Sequence, residues 1–300
     1  MLLAGVALMT TMAEGPFDYD AKAPLEWEER SVETVDGIDV HDVAYASPKG
    51  GRVPAYLLVR PGGTKKAGIV FMHWGQGNRS EFLAEGLACA RAGAVALLID
   101  APYHRPEFAA PSGIGNPDGD RALFVQLVVD LRRAIDALVS RPDVDPARLA
   151  YVGHSLGATW GGVLAAVDRR LRAAVLMGGL PSLTDPSHSY PPEMWELLRK
   201  TYGEEKIRAY AAVIGPIDPE RFVGRAAPTR LLFQFARRDR FISDAAARAY
   251  FDAASGPKEQ RWYFTGHEFN DLSSLRHRAE WLTTQLATAP IWPELERARR

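Results

Sequence analysis

Arg148-Leu149-Ala150-Tyr151-Val152-Gly153-His154-Ser155-Leu156-Gly157-Ala158 is the stretch on which the reading of this chain turns. A mostly apolar run up to Val152 enters Gly-x-Ser-x-Gly, and small residues from Ala158 to Ala166 follow it. Strand, tight turn and helix in that order are the setting of a nucleophile elbow. Such a turn forces Ser155 into a strained backbone conformation above the sheet edge. Gly153 and Gly157 omit side chains where strand and helix backbones approach too closely for a Cβ. Leu156 N–H, at the helix N-terminus, then points to where an oxyanion would form. The plainer reading of the same residues is a glycine-rich helix start with a capping serine.

Outward from the elbow, buried strands alternate with helices. Ala67 to Met72 is a continuous apolar strand, Glu81 to Ala92 a helix with an apolar face, and Ala94 to Ile99 a buried strand ending in Asp100. In the helix from Asp118 to Ser140, Leu123, Leu127, Val128, Leu131, Ile135 and Leu138 recur at three- and four-residue intervals. Beyond the elbow helix come strands at Leu171–Met177, Thr229–Phe235 and Arg261–Phe264, a helix capped by Ser243, and a closing helix from Asp271 to Ala287. This rhythm predicts a largely parallel sheet covered on both faces. Before it, Ile38–Ala46 and Val53–Arg60 flank the turn residues 47–51 and predict an antiparallel hairpin.

Two segments leave the rhythm. Residues 14–30 are rich in Pro and acid, with Phe17, Tyr19 and Trp27, and read as an extended arm that packs its rings on the domain surface. Residues 178–227 read as two helices after a Pro-, Ser- and His-rich stretch, more consistent with an inserted cap than with a structureless loop. The expected division is therefore a tail and arm over 1–30, a core over 31–178 and 228–300, and a helical cap over 179–227.

Three hundred residues, 47% of them hydrophobic, suffice for one large core. Lys and Arg number 36 against 37 Asp and Glu, so no basic surplus is present to neutralise nucleic-acid phosphates, and no nucleic-acid partner is expected. The single cysteine, Cys89, lies in an apolar helical pattern and reads as a small core residue. The apolar start, residues 1–9, lacks a basic n-region and is too short to span a bilayer. An unexported, cytoplasmic protein with no integral membrane segment is expected. The alternative is an exported one whose truncated signal ends near Thr11-Met12-Ala13.

A serine hydroxyl is a poor nucleophile at neutral pH. It needs a base, and the base needs an acceptor that fixes its tautomer. Asp239 follows the strand Thr229–Phe235 and His267 follows Arg261–Phe264, so Ser155, Asp239 and His267 should meet at the carboxyl ends of the strands. The competing groups are placed less well. Asp244 suits the first turn of a helix, His277 sits mid-helix between arginines, and His104 and His188 lie in loops with no acid suitably placed. A second oxyanion donor is expected from His73-Trp74-Gly75-Gln76-Gly77, as Trp74 N–H or Gly75 N–H, with His73 bracing the loop. His73, His154, Tyr103, Tyr190 and Trp195 are the expected pocket residues, and Asp100 is expected to brace the turn after its strand.

On Met72-His73-Trp74-Gly75, Gly153-His154-Ser155-Leu156-Gly157, Arg238-Asp239-Arg240-Phe241 and Gly266-His267-Glu268-Phe269, the chain resembles the α/β-hydrolase superfamily. Within it, the likeness is to the dienelactone-hydrolase-like, acetyl-xylan-esterase-like and prolyl-oligopeptidase-like serine hydrolases, over roughly residues 35–288. The resemblance implies a mostly parallel eight-stranded sheet flanked by helices, with a small helical cap over the carboxyl edge. It implies no cofactor, and the sequence presents no metal-ligand cluster. Two departures stand out: His73-Trp74-Gly75 replaces the His-Gly of many relatives, and dienelactone hydrolases proper carry cysteine at the position of Ser155. The expected activity is hydrolysis of a small-molecule carboxylic ester, with short or small acyl groups, through an acyl-enzyme. A peptidase or amidase using the same triad is the alternative, and a non-catalytic binding protein is the alternative of a different class.

Overall fold

Alternation within the strands sorts the core into two layers. In a computed structural model that describes residues 15–297, strand β4 (Lys66–Met72) is buried along its whole length. Ile69 and Phe71 face one layer while Val70 and Met72 face the other, as the two-residue period of a strand requires. Between β4 and β5 (Ala94–Ile99) the chain forms α1 (Leu83–Arg91). The first layer packs α1 with α8 (Leu272–Leu286) and α9 (Ile291–Arg297). The second layer packs α2 (Pro117–Val139) and α3 (Leu156–Val167), which bracket β6 (Val144–His154), together with α7 (Asp244–Ala253).

The sheet has nine strands, completed by β1 (Glu28–Val35), β2 (Ile38–Ala46), β3 (Arg52–Val59), β7 (Leu171–Met177), β8 (Arg230–Ala236) and β9 (Lys258–Tyr263). Their order is β1-β2-β3-β5-β4-β6-β7-β8-β9. From β5 through β4 to β9 the pairings are parallel, and β1–β2, β2–β3 and β3–β5 are antiparallel. The expected eight-stranded sheet is thus a nine-stranded mixed one. The added strand is β1, which the sequence reading gave partly to the arm. Its residues, EERSVETV, are almost all exposed, so no apolar face marks it, and pairing with β2 alone makes it a strand. Charged side chains on an edge strand also discourage pairing with other chains.

The arm itself is tied down. Phe17 is buried and meets Phe222 edge-to-face at 5.3 Å. Tyr19 donates its hydroxyl to Asp136 at 2.8 Å, and the Arg132 and Arg133 guanidiniums donate to carbonyls of Phe17, Ala21 and Ala23. Between β7 and β8 lie α4 (Pro186–Ser189), α5 (Pro192–Ile214) and α6 (Glu220–Val223). Gly203, at φ 74° and ψ 159°, breaks α5 into two helices, matching the two that the sequence suggests. The first fourteen residues, including the apolar start, lie outside the described part of the chain. No described helix is long and apolar enough to cross a membrane.

Candidate active site

The strand order reverses around β4: the chain leaves it toward β5 on one side, and β6 pairs on the other. Loops diverge at such a switch point and leave a crevice at the carboxyl ends of the strands. Ser155 stands there, between β6 and α3, at φ 55° and ψ −112°, with its N–H donating to Met177 O at 2.8 Å. A positive φ is costly for a residue with a Cβ and persists only where the surroundings enforce it. Here they do. A Cβ on Gly153 would lie 2.5 Å from Gly157 O, and one on Gly157 would lie 2.5 Å from Met72 O. The elbow strain expected from the sequence is present in the backbone.

Asp239, after β8, and His267, after β9, are brought together. His267 Nδ1 is 2.8 Å from Asp239 Oδ2, and both side chains are almost fully buried. The other carboxylate oxygen, Oδ1, accepts the amides of Phe241 at 2.9 Å and Ile242 at 3.0 Å. A carboxylate so held presents one oxygen to the imidazole. His267 Nδ1 therefore carries the proton, and Nε2 is left as the basic nitrogen. The ring is gripped edge-on by Phe241 at 4.9 Å.

Ser155 and His267 line one cavity of about 190 Å³. Trp74, Gly75 and Gln76 form one rim, and Leu156, Leu180, Tyr190, Phe241 and Ile242 supply an apolar wall. Larger clefts among the described residues contain neither Ser155 nor His267. Leu156 N–H is one of the first-turn amides that a helix leaves without an intrahelical partner. Trp74 N–H, by contrast, donates to Glu81 Oε2 at 2.9 Å. Of the two amides left open by the sequence, Gly75 is the one not engaged in this way.

The remaining expected pocket residues separate. Tyr190 lines the cavity, whereas His73, His154, Tyr103 and Trp195 do not. His73 is a brace: its Nδ1–H donates to Trp74 O at 2.6 Å and its Nε2 accepts Ala101 N–H at 3.0 Å. Burial holds it neutral, with a pKa lowered to about 4. Tyr103 is buried with its ring edge-on to His73. Trp195 packs against the core at its periphery. His154 turns under the elbow, with Nδ1 2.7 Å from Glu81 Oε1 and Nε2 2.7 Å from His267 O. Asp100, expected to brace the turn after its own strand, instead holds the loop after β4, accepting Arg79 N–H at 2.7 Å.

The competing candidates are engaged elsewhere. Asp244 pairs with Arg237 at 3.1 Å on the surface, His277 meets the Tyr263 hydroxyl at 3.1 Å, and His104 is exposed beside Tyr103. The side chain of His188 is outside the described part. No group of three or more His, Cys, Asp or Glu among the described residues could hold a metal ion. Sequence reasoning missed Glu81, which reads as an ordinary acid at a helix start. Its partners lie 7 and 73 positions away, and no local pattern announces them.

No family model matches the chain. An uncharacterised protein of Mycobacterium tuberculosis is 29% identical over 178 residues, which span 59% of this chain and 58% of that relative. Solved structures are similar over much more of the chain. The acetyl xylan esterase from Paenibacillus sp. R4 superposes with a TM-score of 0.70 at 22% identity, covering 88% of this chain and 89% of that one. Acetyl xylan esterase 1 from Thermoanaerobacterium sp. gives 0.72 at 17% identity, with 90% of each chain covered. A cold-adapted esterase from an Arctic intertidal metagenomic library gives 0.61 at 15%, covering 86% and 99%. At such identities the likeness is one of architecture, and the chain has the α/β-hydrolase fold.

Proposed function

We propose that this protein is a serine hydrolase that cleaves small carboxylic esters through an acyl-enzyme. The observation that carries the reading is the strained Ser155 sharing a cavity with His267, whose Nδ1 is bound to Asp239. In this scheme Ser155 Oγ attacks the ester carbonyl carbon while its proton passes to His267 Nε2. The carbonyl oxygen becomes an oxyanion facing Leu156 N–H and Gly75 N–H. The tetrahedral adduct collapses, the C–O bond to the alcohol breaks, and the imidazolium protonates the departing oxygen. Water, deprotonated by the same Nε2, then attacks the acyl carbon and releases the acid and Ser155. Asp239 holds the tautomer and stabilises the transient imidazolium.

A cavity of about 190 Å³ with one apolar wall suits a short acyl group. The names of the similar structures, acetyl xylan esterases among them, support an ester as the substrate class. A panel of p-nitrophenyl esters of rising chain length, with aminoacyl anilides beside them, tests the reading. Hydrolysis should be fastest on the shortest esters, slow on anilides, and lower by several orders of magnitude in Ser155→Ala. Undiminished hydrolysis by Ser155→Ala would overturn it.

A further inference from the structure

The hydrolytic scheme makes no use of Glu81, yet its carboxylate is spent on two connections across the site. Oε2 accepts Trp74 N–H at 2.9 Å in the loop after β4, and Oε1 meets His154 Nδ1 at 2.7 Å. His154 stands in the elbow itself, and its Nε2 lies 2.7 Å from the backbone carbonyl of His267. Its side chain is 4% exposed and that of Glu81 20%. The imidazole also stacks on the Trp74 ring at 5.9 Å and 18° and meets Phe269 edge-on at 5.7 Å. One side-chain pair thus joins the proposed oxyanion loop, the elbow and the turn that carries His267.

With Glu81 ionised, hydrogen-bond accounting fixes the proton. The carbonyl of His267 can only accept, so His154 Nε2 must donate. A carboxylate can also only accept, so Nδ1 must donate as well, and a ring that donates from both nitrogens is an imidazolium. We propose that Glu81 and doubly protonated His154 form a positioning ion pair that holds the oxyanion loop and the His267 turn in register across the cavity. The proposal rests on the serine-hydrolase reading of Ser155 and His267. The titratable groups facing His154 are Glu81, His267, whose ring centroid is 5.1 Å away, and His73 behind the loop. Each of the two adjacent imidazoles has its own carboxylate, Asp239 for His267 and Glu81 for His154, so the charge formed on His267 during turnover meets a neutral neighbouring pair.

Glu81 does not line the cavity, so its loss should leave ground-state binding alone and act on the chemical step. Displacements of about 1 Å in a reacting group cost on the order of 100-fold. Glu81→Ala is therefore expected to lower kcat by about 10- to 100-fold, with KM nearly unchanged. The rate is to be expressed per serine titrated with a fluorophosphonate. Glu81→Gln should recover most of the rate: its carbonyl can accept Trp74 N–H while its amide donates to Nδ1 of a neutral His154. NMR of the histidine ring nitrogens reads the pair without any reference to turnover. The wild type should show protons on both His154 nitrogens near neutral pH, and Glu81→Gln a proton on Nε2 alone, with the assignment made by loss of the signals in His154→Gln. An unchanged kcat per titrated serine in Glu81→Ala, or a single protonated nitrogen in the wild type, overturns the ion pair. A Glu81→Gln variant that melts like wild type yet is as slow as Glu81→Ala overturns the positioning role. Failure of the wild type to take the fluorophosphonate on Ser155 overturns the hydrolase reading instead, and the NMR result is independent of that outcome.

Discussion

Two aspartates of the segment after β8 separate what a carboxylate does for chemistry from what it does for stability. Asp239 is 4% exposed and bonded to His267. Replacing it with Asn should cost about 10⁴-fold in kcat by releasing the His267 tautomer. Asp244 is 55% exposed and pairs with Arg237, a contact worth at most about 1 kcal/mol, so Asp244→Asn should leave kcat within error of wild type. Rate measurements on both variants decide, and the reverse ranking would remove Asp239 from the site. His73 supplies a pH test. Its folded pKa is lowered from 6.5 to about 4 by burial, so between those values the unfolded chain binds the extra proton and stability falls as the pH falls. The contribution is complete above pH 6.5, declines from there to about pH 4, and amounts to about 3 kcal/mol. Urea unfolding from pH 7 to pH 4 should show that loss in the wild type and a shallower one in His73→Asn. Parallel acid limbs in the two proteins would contradict the neutral, buried brace.

The edge strand and the loops around the elbow mark where sequence reading runs out. β1 pairs with β2 alone and exposes nearly all its side chains. Its amide protons should therefore exchange orders of magnitude faster than those of β4 and of residues 149–154 in β6, which are buried between two helical layers. Hydrogen-exchange mass spectrometry measures this, and equal protection of β1 and β4 would show that something else covers the edge. The same exposure explains why β1 is hard to see in the sequence: EERSVETV has no buried face to impose a pattern. β4 from Ala67, β5, and β7 from Ala173 carry uninterrupted apolar runs because both faces are buried there, and they are plain to read. The elbow is legible for a different reason, since steric contact dictates Gly153 and Gly157 and leaves their spacing in the chain. Asp239 and His267 are legible through their position after strands. The partners of His154 and Glu81 are set by tertiary packing of distant loops, so the inward turn of His154 leaves no trace in the sequence.

On the proposed reading, the segment between β7 and β8 would select the substrate through one aromatic ring and not through another. Tyr190 lines the cavity with Ser155, whereas Trp195, the fourth residue of α5, packs on the periphery of the core. Tyr190→Ala should enlarge the cavity and move the fastest ester to a longer acyl chain. Trp195→Ala should lower the melting temperature and keep the wild-type ranking. Values of kcat/KM across the ester series, with a melting curve for each variant, separate the two effects; a shifted ranking in Trp195→Ala but not in Tyr190→Ala would reverse the assignment of the wall. All of this presumes that the fold, with its strained elbow and its His267–Asp239 pair, makes Ser155 a working nucleophile. The most direct measurement is covalent labelling of the full chain with a fluorophosphonate, followed by peptide mass spectrometry. One equivalent of adduct on Ser155, formed in step with loss of esterase activity, absent in Ser155→Ala and much slower in His267→Ala, is the predicted result. Ester hydrolysis that survives complete exposure to the reagent, or an adduct on any other residue, would contradict it.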